Sequence, residues 1–237
     1  MASPFLAPPD PRAMSSVEIS VPPIDFRGWP SDPGGIEIGF STEQLVEPPE
    51  TVATMPYYRL HAVGHPPART LLRAGVCGRL SVASAALPGA FELVILDGWR
   101  TRDFQRELVN YYSTDHDPVG AGFVSSADDP DFAPPHVTGG AVDLTISHNG
   151  IPLALGTDFD EFTPAAAADW YETHTLKAAD AVLIRDLRRM FGNAMLKAGF
   201  APYQQEWWHW SYGDQIWARF YGLRRSIYPA IDGPDGL

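Results

Sequence analysis

Apolar and polar residues follow one another along this chain in patterns that predict several strands. Residues 91–96 are almost entirely apolar, which is typical of a buried strand. In residues 141–147 apolar positions alternate with polar ones, so this segment is predicted to be a strand with Asp143 and Thr145 on one face. A further strand is expected over residues 206–212.

Apolar residues recur at helical spacing in two longer segments. One is expected to begin at Pro66, because proline suits the first turn of a helix, and to end before Pro88. The other, residues 178–198, shows the clearest helical period of the chain and is expected to stop at Gly199. Thr101 is the expected N-cap of a further helix between them.

Composition divides the chain into two parts. Residues 1–50 are rich in Pro and Gly, which predicts an extended arm that wraps the remainder. Residues 51–237 are expected to form a single domain, because a chain of this length can bury one sizeable core.

Charge, cysteine content and hydropathy exclude several classes of protein. The formal net charge of −12 argues against a nucleic acid or an anionic membrane as partner. Cys77 is the single cysteine, which allows neither an internal disulfide nor a thiolate zinc cage. No apolar run reaches about 18 residues, and residues 1–4 do not resemble the start of a secretory signal. A cytoplasmic protein without a membrane span is therefore expected.

The candidate chemistry begins at His136 and Asp143, which stand on either side of a Gly-Gly pair. Gly139 and Gly140 permit backbone angles that other residues avoid, so the chain can turn sharply between the imidazole and the carboxylate. Because Asp143 projects from a predicted strand, both side chains can approach one point. The alternative is a surface histidine beside a turn and an aspartate on a polar strand face.

A second cluster, Glu206 and His209, is embedded among Trp207, Trp208 and Trp210. An aromatic-lined site is dry, and a carboxylate and an imidazole placed there need partners. Residues three apart on a regular strand face opposite ways, so this pair shares a site only if the strand is bent or bulged, or if Glu206 precedes it. The alternative is a core histidine hydrogen-bonded to a glutamate.

These clusters resemble a known family. The pattern H-x-x-G-x-A-x-D of residues 136–143, followed by E-W-W-H at 206–209, is similar to that of the zinc D-alanyl-D-alanine dipeptidases of the vancomycin-resistance type. That family belongs to the wider group of D,D-carboxypeptidases and hedgehog-like metalloproteins. Residues 96–100 and 155–162 also resemble family motifs, and the four motifs stand in the family's order.

The resemblance implies an α+β fold in which helices pack on a small antiparallel sheet. It also implies Zn²⁺ as the cofactor, with His136, Asp143 and His209 as ligands and one position open for water. Glu206 is implied as the general base. The remaining histidines fall outside these motifs and are expected to be structural or surface residues: His61, His65, His116, His148 and His174.

The other two motifs imply roles toward the substrate, a small peptide. Arg100 stands at a strand-to-helix corner and would stabilise the negative charge that develops during hydrolysis. Its structural alternative is an ion pair with Asp97 or Asp103, and Arg102 is the competing candidate. Asp160 lies in an acidic stretch without Lys or Arg and would hold the free amino end of the peptide, or serve as a turn residue.

The implied reaction is hydrolysis of D-Ala-D-Ala or a similar small dipeptide through a metal-activated water. Two positions depart from the family pattern, with Pro134 where Ser is common and Leu155 where Met is usual. A first alternative is therefore a related peptidase or amidase acting on another cell-wall or specialised-metabolite peptide. A second is a non-catalytic hedgehog-like binding module, against which the presence of Glu206 argues. A third is a metal-free binding domain with a Trp-lined pocket.

Overall fold

The computed structural model describes residues 4–14, 19, 21–26, 34–113 and 125–233. In chain order its elements are β1 Leu45–Val46, β2 Ala53–Thr54, α1 Tyr57–Leu60, β3 Leu72–Arg73, α2 Ala74–Ala85, β4 Phe91–Asp97, α3 Arg102–Tyr112, β5 Ala141–His148, β6 Ile151–Pro152, α4 Trp170–Thr173, α5 Ala179–Lys197, β7 Ala201–Tyr203, β8 Glu206–Ser211 and α6 Gln215–Phe220. Short 3₁₀ helices cover Pro135–Thr138 and Pro164–Ala166.

Helices and strands form an α+β fold around a six-stranded sheet. The strand order is β2-β4-β5-β8-β7, and β6 pairs with β5. Neighbouring strands are antiparallel except β2 and β4, which run parallel. The expected fold class is confirmed, with one short parallel strand at the edge of the sheet. A separate two-stranded sheet joins β1 to β3.

The central strand β5 is buried at every position. Val142, Leu144 and Ile146 belong to the main hydrophobic core, whereas Asp143 faces a pocket on the other side of the sheet. The predicted alternation is therefore confirmed. Both edges of β5 are hydrogen-bonded because it lies in the middle of the sheet, between β4 and β8.

The helix predicted from Pro66 is wrong at its start, since α2 begins at Ala74. The preceding pair Leu72–Arg73 forms a strand with β1 instead. The Arg73 side chain is buried and donates to three backbone carbonyls, those of Glu43, Thr138 and Pro229. Hydrophobic periodicity does not record tertiary contacts of this kind. The predicted helix included Leu72 only because apolar residues recur there at helical spacing.

The other predicted helices agree with the structure. Thr101 caps α3, because its hydroxyl accepts a hydrogen bond from the backbone N–H of Phe104 at 3.0 Å. The long helix α5 ends two residues before Gly199, which has a φ of +86°. In the described part of the chain, no helix is both long enough and apolar enough to cross a bilayer.

The described parts of the N-terminal arm lie against the domain. Leu6 and Ile36 are buried. Ala7 forms a parallel bridge with Leu153. The division of the chain into an arm and a single domain at residue 50 stays a prediction.

Candidate metal centre

Strand pairing places three acidic or imidazole side chains in one row across the sheet. Asp143 on β5 lies opposite His209 on β8 and, on its other side, opposite Asp97 on β4. Residues directly opposite one another on neighbouring strands have Cβ atoms about 4.5–5.5 Å apart. Side chains that are distant in sequence therefore meet at the end of this sheet.

His136 reaches the same point from the 3₁₀ helix that precedes β5. Gly139 follows it with a φ of +71°, the left-handed conformation that favours glycine. Gly140 is needed for space rather than for backbone freedom, because a Cβ there would lie 2.6 Å from the carbonyl oxygen of Tyr212. The Gly-Gly pair thus both turns the chain and lets it pack closely.

Glu206 and His209 share the site because β8 is irregular. On β7, Pro202 lies opposite Trp210 of β8. The following residue of β7, Tyr203, lies opposite Glu206, which is four residues before Trp210 on β8. The extra residues on β8 form a bulge, one of the arrangements that the sequence analysis required. As a result, an oxygen of Glu206 comes within 3.8 Å of Nδ1 of His209.

Hydrogen bonds orient both imidazoles. His136 Nδ1 lies 2.8 Å from the carbonyl oxygen of Gly98, so it donates there and leaves Nε2 facing Asp143. His209 Nε2 lies 3.3 Å from the hydroxyl oxygen of Ser211, and its Nδ1 faces Asp143. Metal-binding histidines are commonly held in this way through the ring nitrogen that does not bind the ion.

Donor atoms of three residues converge as zinc ligands would. His136 Nε2 lies 3.2 Å from His209 Nδ1 and 3.2 Å from Asp143 Oδ2, and His209 Nδ1 lies 3.1 Å from Asp143 Oδ1. Donors bound roughly 2.0 Å from one tetrahedral ion lie about 3.3 Å apart. Asp143 Oδ1 is buried without a hydrogen bond of good geometry, a costly state that a cation would relieve. The donor set therefore fits zinc.

Burial and neighbouring charges set the protonation of this cluster. Burial alone would raise the pKa of Asp143, but the adjacent His136 and His209 outweigh it and hold that pKa well below its usual range. Burial lowers the pKa of His209, against the opposing effect of Asp143, which favours the neutral imidazole that binds metals. Burial, followed by the negative charges of Asp143 and Asp160, raises the pKa of Glu206 well above its usual value.

Arg100 is buried beside the cluster and contacts several acceptors at once. Its Nε donates to Asp97 Oδ2 at 2.6 Å, and its Nη2 lies 3.2 Å from Asp143 Oδ2. The ion pair with Asp97 proposed as an alternative thus exists, yet Arg100 also lines the pocket. Burial opposes its charge, but Tyr58, Asp97 and Asp143 outweigh burial and raise the pKa of Arg100 above its ordinary value. Arg102 instead donates to the carbonyl of Ala127 and does not line the pocket.

Asp160 lines the same pocket. Its Oδ2 accepts hydrogen bonds from the hydroxyls of Tyr58, at 2.7 Å, and Tyr112, at 2.6 Å. Burial raises its pKa to about 7, although both tyrosine hydrogen bonds act in the opposite direction. It is therefore more than an exposed turn residue, although its φ of +56° does place it in a tight bend.

One pocket is lined by all six candidate residues: Arg100, His136, Asp143, Asp160, Glu206 and His209. The other described histidines lie elsewhere. His148 is buried on β5 with its ring 5.0 Å from that of Phe91, and the rest are exposed: His61, His65 and His174. His116 lies outside the described residues.

Comparison with known proteins agrees with this geometry. The family described as D-ala-D-ala dipeptidase (Peptidase_M15) matches residues 60–226, which contain all six candidate residues. The chain belongs to this family. It is also similar to a D-alanyl-D-alanine dipeptidase of Synechocystis sp. (strain ATCC 27184 / PCC 6803 / Kazusa), with 25% identity over 189 residues, or 68% of this chain and 76% of the relative. Membership of the D-ala-D-ala dipeptidase family supports a peptidase activity.

The sequence analysis missed five polar residues that line the pocket of this family member: Tyr58, Gln105, Tyr112, Ser125 and Tyr203. Tyr58 stands in the four-residue helix α1, in no recognised motif. Tyr112 is the last residue of α3 and lies in no recognised motif. Only the tertiary fold shows that both reach Asp160.

Proposed function

We propose that this chain is a zinc-dependent dipeptidase that cleaves D-Ala-D-Ala or a similarly small dipeptide. The observation that carries the proposal is the convergence of two imidazole nitrogens and one carboxylate within 3.1–3.2 Å of one another. His136, Asp143 and His209 would hold the ion. Zinc, when bound, lowers the pKa of water to about 7 and polarises the scissile carbonyl.

Glu206 is the proposed general base. It lines the pocket, and its carboxylate lies 3.8 Å from Nδ1 of the proposed ligand His209. Burial favours its neutral form, but a divalent cation at the neighbouring ligands adds positive charge that favours the carboxylate. In that state Glu206 accepts a proton from the attacking water and delivers it to the departing amine.

Arg100 is proposed to balance the negative charge that grows on the carbonyl oxygen during attack. Its guanidinium stays charged in the pocket because Asp97 and Asp143 compensate for its burial. A buried, fixed cation needs no reorganisation when charge develops, which is why such groups lower barriers effectively.

Asp160 is proposed to bind the free amino end of the substrate. The half-buried carboxylate lines the pocket and accepts hydrogen bonds from two tyrosine hydroxyls. Placing an ammonium beside it favours the charged carboxylate despite its raised pKa. A peptide extended beyond that amino end would place no ammonium group beside the carboxylate. Dipeptides are therefore favoured over longer chains.

A related small peptide is the second candidate substrate. Pro134, which stands where the family commonly has Ser, lines the pocket and so changes its surface at the substrate. This departure leaves the proposed ligands and base intact but removes a hydroxyl that a D-Ala-D-Ala site would offer.

The deciding experiment is hydrolysis of a panel of D,D-, L,D- and L,L-dipeptides by the zinc-loaded protein. We expect D-Ala-D-Ala or a close analogue to be cleaved, and the Glu206→Gln variant to serve as the blank. Cleavage confined to other small peptides would favour the second candidate. A zinc-loaded protein that cleaves none of them would reject the proposed peptidase.

A further inference from the structure

The first described residues of the arm are tied to the loop that carries Asp160. The carboxylate of Asp158 accepts hydrogen bonds from the backbone N–H groups of Phe5, at 2.6 Å, and Leu6, at 3.0 Å. Ala7 then bridges to Leu153, just before the same loop. The arm is therefore hydrogen-bonded to this loop at Asp158, two residues before Asp160, which is the proposed ligand of the substrate's amino end.

Phe5 also contacts the short helix α1, which carries Tyr58. The ring of Phe5 packs edge-on against that of Tyr57, with centroids 4.9 Å apart, and Tyr57 packs in turn on Phe159. The next residue, Tyr58, donates its hydroxyl to Asp160. Phe5 thus links the two segments whose side chains meet at Asp160.

Asp160 needs such support. Its φ of +56° lies in the left-handed region, which is unfavourable for a residue with a Cβ. Its side chain is half-buried, and the hydroxyls of Tyr58 and Tyr112 hold its carboxylate in place. The partners that fix it belong to α1, α3 and the arm-bound loop.

We propose that residues 4–7 are a positioning element for the amino-end subsite. By binding Asp158 and Tyr57, they keep the Asp160 carboxylate and the Tyr58 hydroxyl facing the pocket. These arm residues lie outside the segment matched by the family, residues 60–226. The proposal rests on the proposed function only in taking Asp160 as the ligand of the substrate ammonium.

The test is a double-mutant cycle in the full chain with D-Ala-D-Ala as substrate. Phe5→Pro removes the N–H donor and the ring, and Asp158→Ala removes the acceptor. We expect Phe5→Pro to raise KM about tenfold, as loss of one hydrogen bond to a charged group would, with kcat within about twofold. Because both changes break the hydrogen bond between Phe5 and Asp158, the effect of the double variant on KM should be smaller than the sum of the two single effects.

Two variants give the controls. Asp10→Ala alters an exposed side chain of the same arm, which bonds the backbone of Arg12, and should leave KM unchanged. Phe5→Ala keeps the N–H donor and should give a smaller rise in KM than Phe5→Pro. A fall in kcat with unchanged KM, or additive effects of Phe5→Pro and Asp158→Ala, would overturn the proposal.

Hydrogen exchange separates this proposal from the proposed function. If the wild-type chain cleaves no dipeptide, the positioning role of residues 4–7 is tested by the rate of hydrogen exchange at the amides of residues 156–162. We expect Phe5→Pro to speed their exchange at least about tenfold while Asp10→Ala does not. Unchanged exchange in Phe5→Pro would reject the positioning role whatever the substrate.

Discussion

The Nε2 atom of His136 lies 3.2 Å from the Nδ1 atom of His209, although 73 positions separate the two residues. The other nitrogen of each ring is engaged by Gly98 or Ser211, so both facing nitrogens are available as electron-pair donors. Two such donors beside a buried carboxylate form a site that a divalent cation completes.

Replacing His209 should release the metal. His209→Ala removes one of the three proposed ligands, and two ligands do not hold zinc against dialysis. Zinc per chain, measured by elemental analysis after gentle purification, should fall from about one to near zero. His148→Ala is the matched control, because it removes a buried imidazole from β5 outside the cluster. Equal zinc content in the two variants would contradict the assignment.

Replacing Glu206 should separate metal binding from turnover. Glu206→Gln keeps the size of the side chain but cannot accept a proton, so kcat should fall by about 10²–10⁴-fold while zinc stays bound. Glu172→Gln, at a carboxylate paired with Arg189 outside the pocket, should keep full activity. Undiminished turnover in Glu206→Gln would remove it from the role of base.

Replacing Arg100 should affect kcat more than KM. Arg100→Ala removes a charge that acts on the developing oxyanion, and kcat should fall by about 10²–10³-fold. It also leaves the buried Asp97 without its partner, so a loss of about 3–5 kcal/mol in the free energy of unfolding is expected. Urea unfolding measures that loss, and kinetics are therefore compared below the unfolding transition.

Two further variants make the Arg100 result interpretable. Arg100→Lys keeps the charge and should be less damaging to stability than Arg100→Ala. Arg102→Ala, which affects the competing arginine, should leave kcat within about twofold, because that side chain points to Ala127. A rise in KM with kcat preserved in Arg100→Ala would show ground-state binding instead.

Removing the Ser211 hydroxyl should weaken zinc binding without touching a ligand. Ser211 is fully buried and lies 3.3 Å from His209 Nε2, where it orients the ring. Loss of such a partner typically lowers metal affinity about 10–100-fold. Competition with a chromophoric chelator measures the change in Ser211→Ala. Ser147→Ala is the control, since the buried Ser147 hydroxyl has no hydrogen-bond partner in the described structure. Equal affinities in the two variants would contradict this role.

The sequence by itself identified the family motifs and the elements with strong periodicity. The strand at 91–96, the helix at 178–198 and the N-cap at Thr101 follow from local propensity and patterning, which act within a few residues. The motifs at 136–143 and 206–209 supplied four of the six candidates, and those at 96–100 and 155–162 supplied Arg100 and Asp160. The helix start at Pro66 failed because the pairing of Leu72–Arg73 with β1 overrides local spacing.

Tertiary structure alone decided how those residues meet. The bulge of β8 that turns Glu206 toward His209 depends on its pairing with β7, and the row of Asp97, Asp143 and His209 depends on the order of strands in the sheet. Tertiary packing likewise brings Tyr58 and Tyr112 to Asp160, and it brings the backbone N–H of Phe5 to the carboxylate of Asp158. Such contacts join residues far apart in the chain, so packing determines them and no local pattern records them.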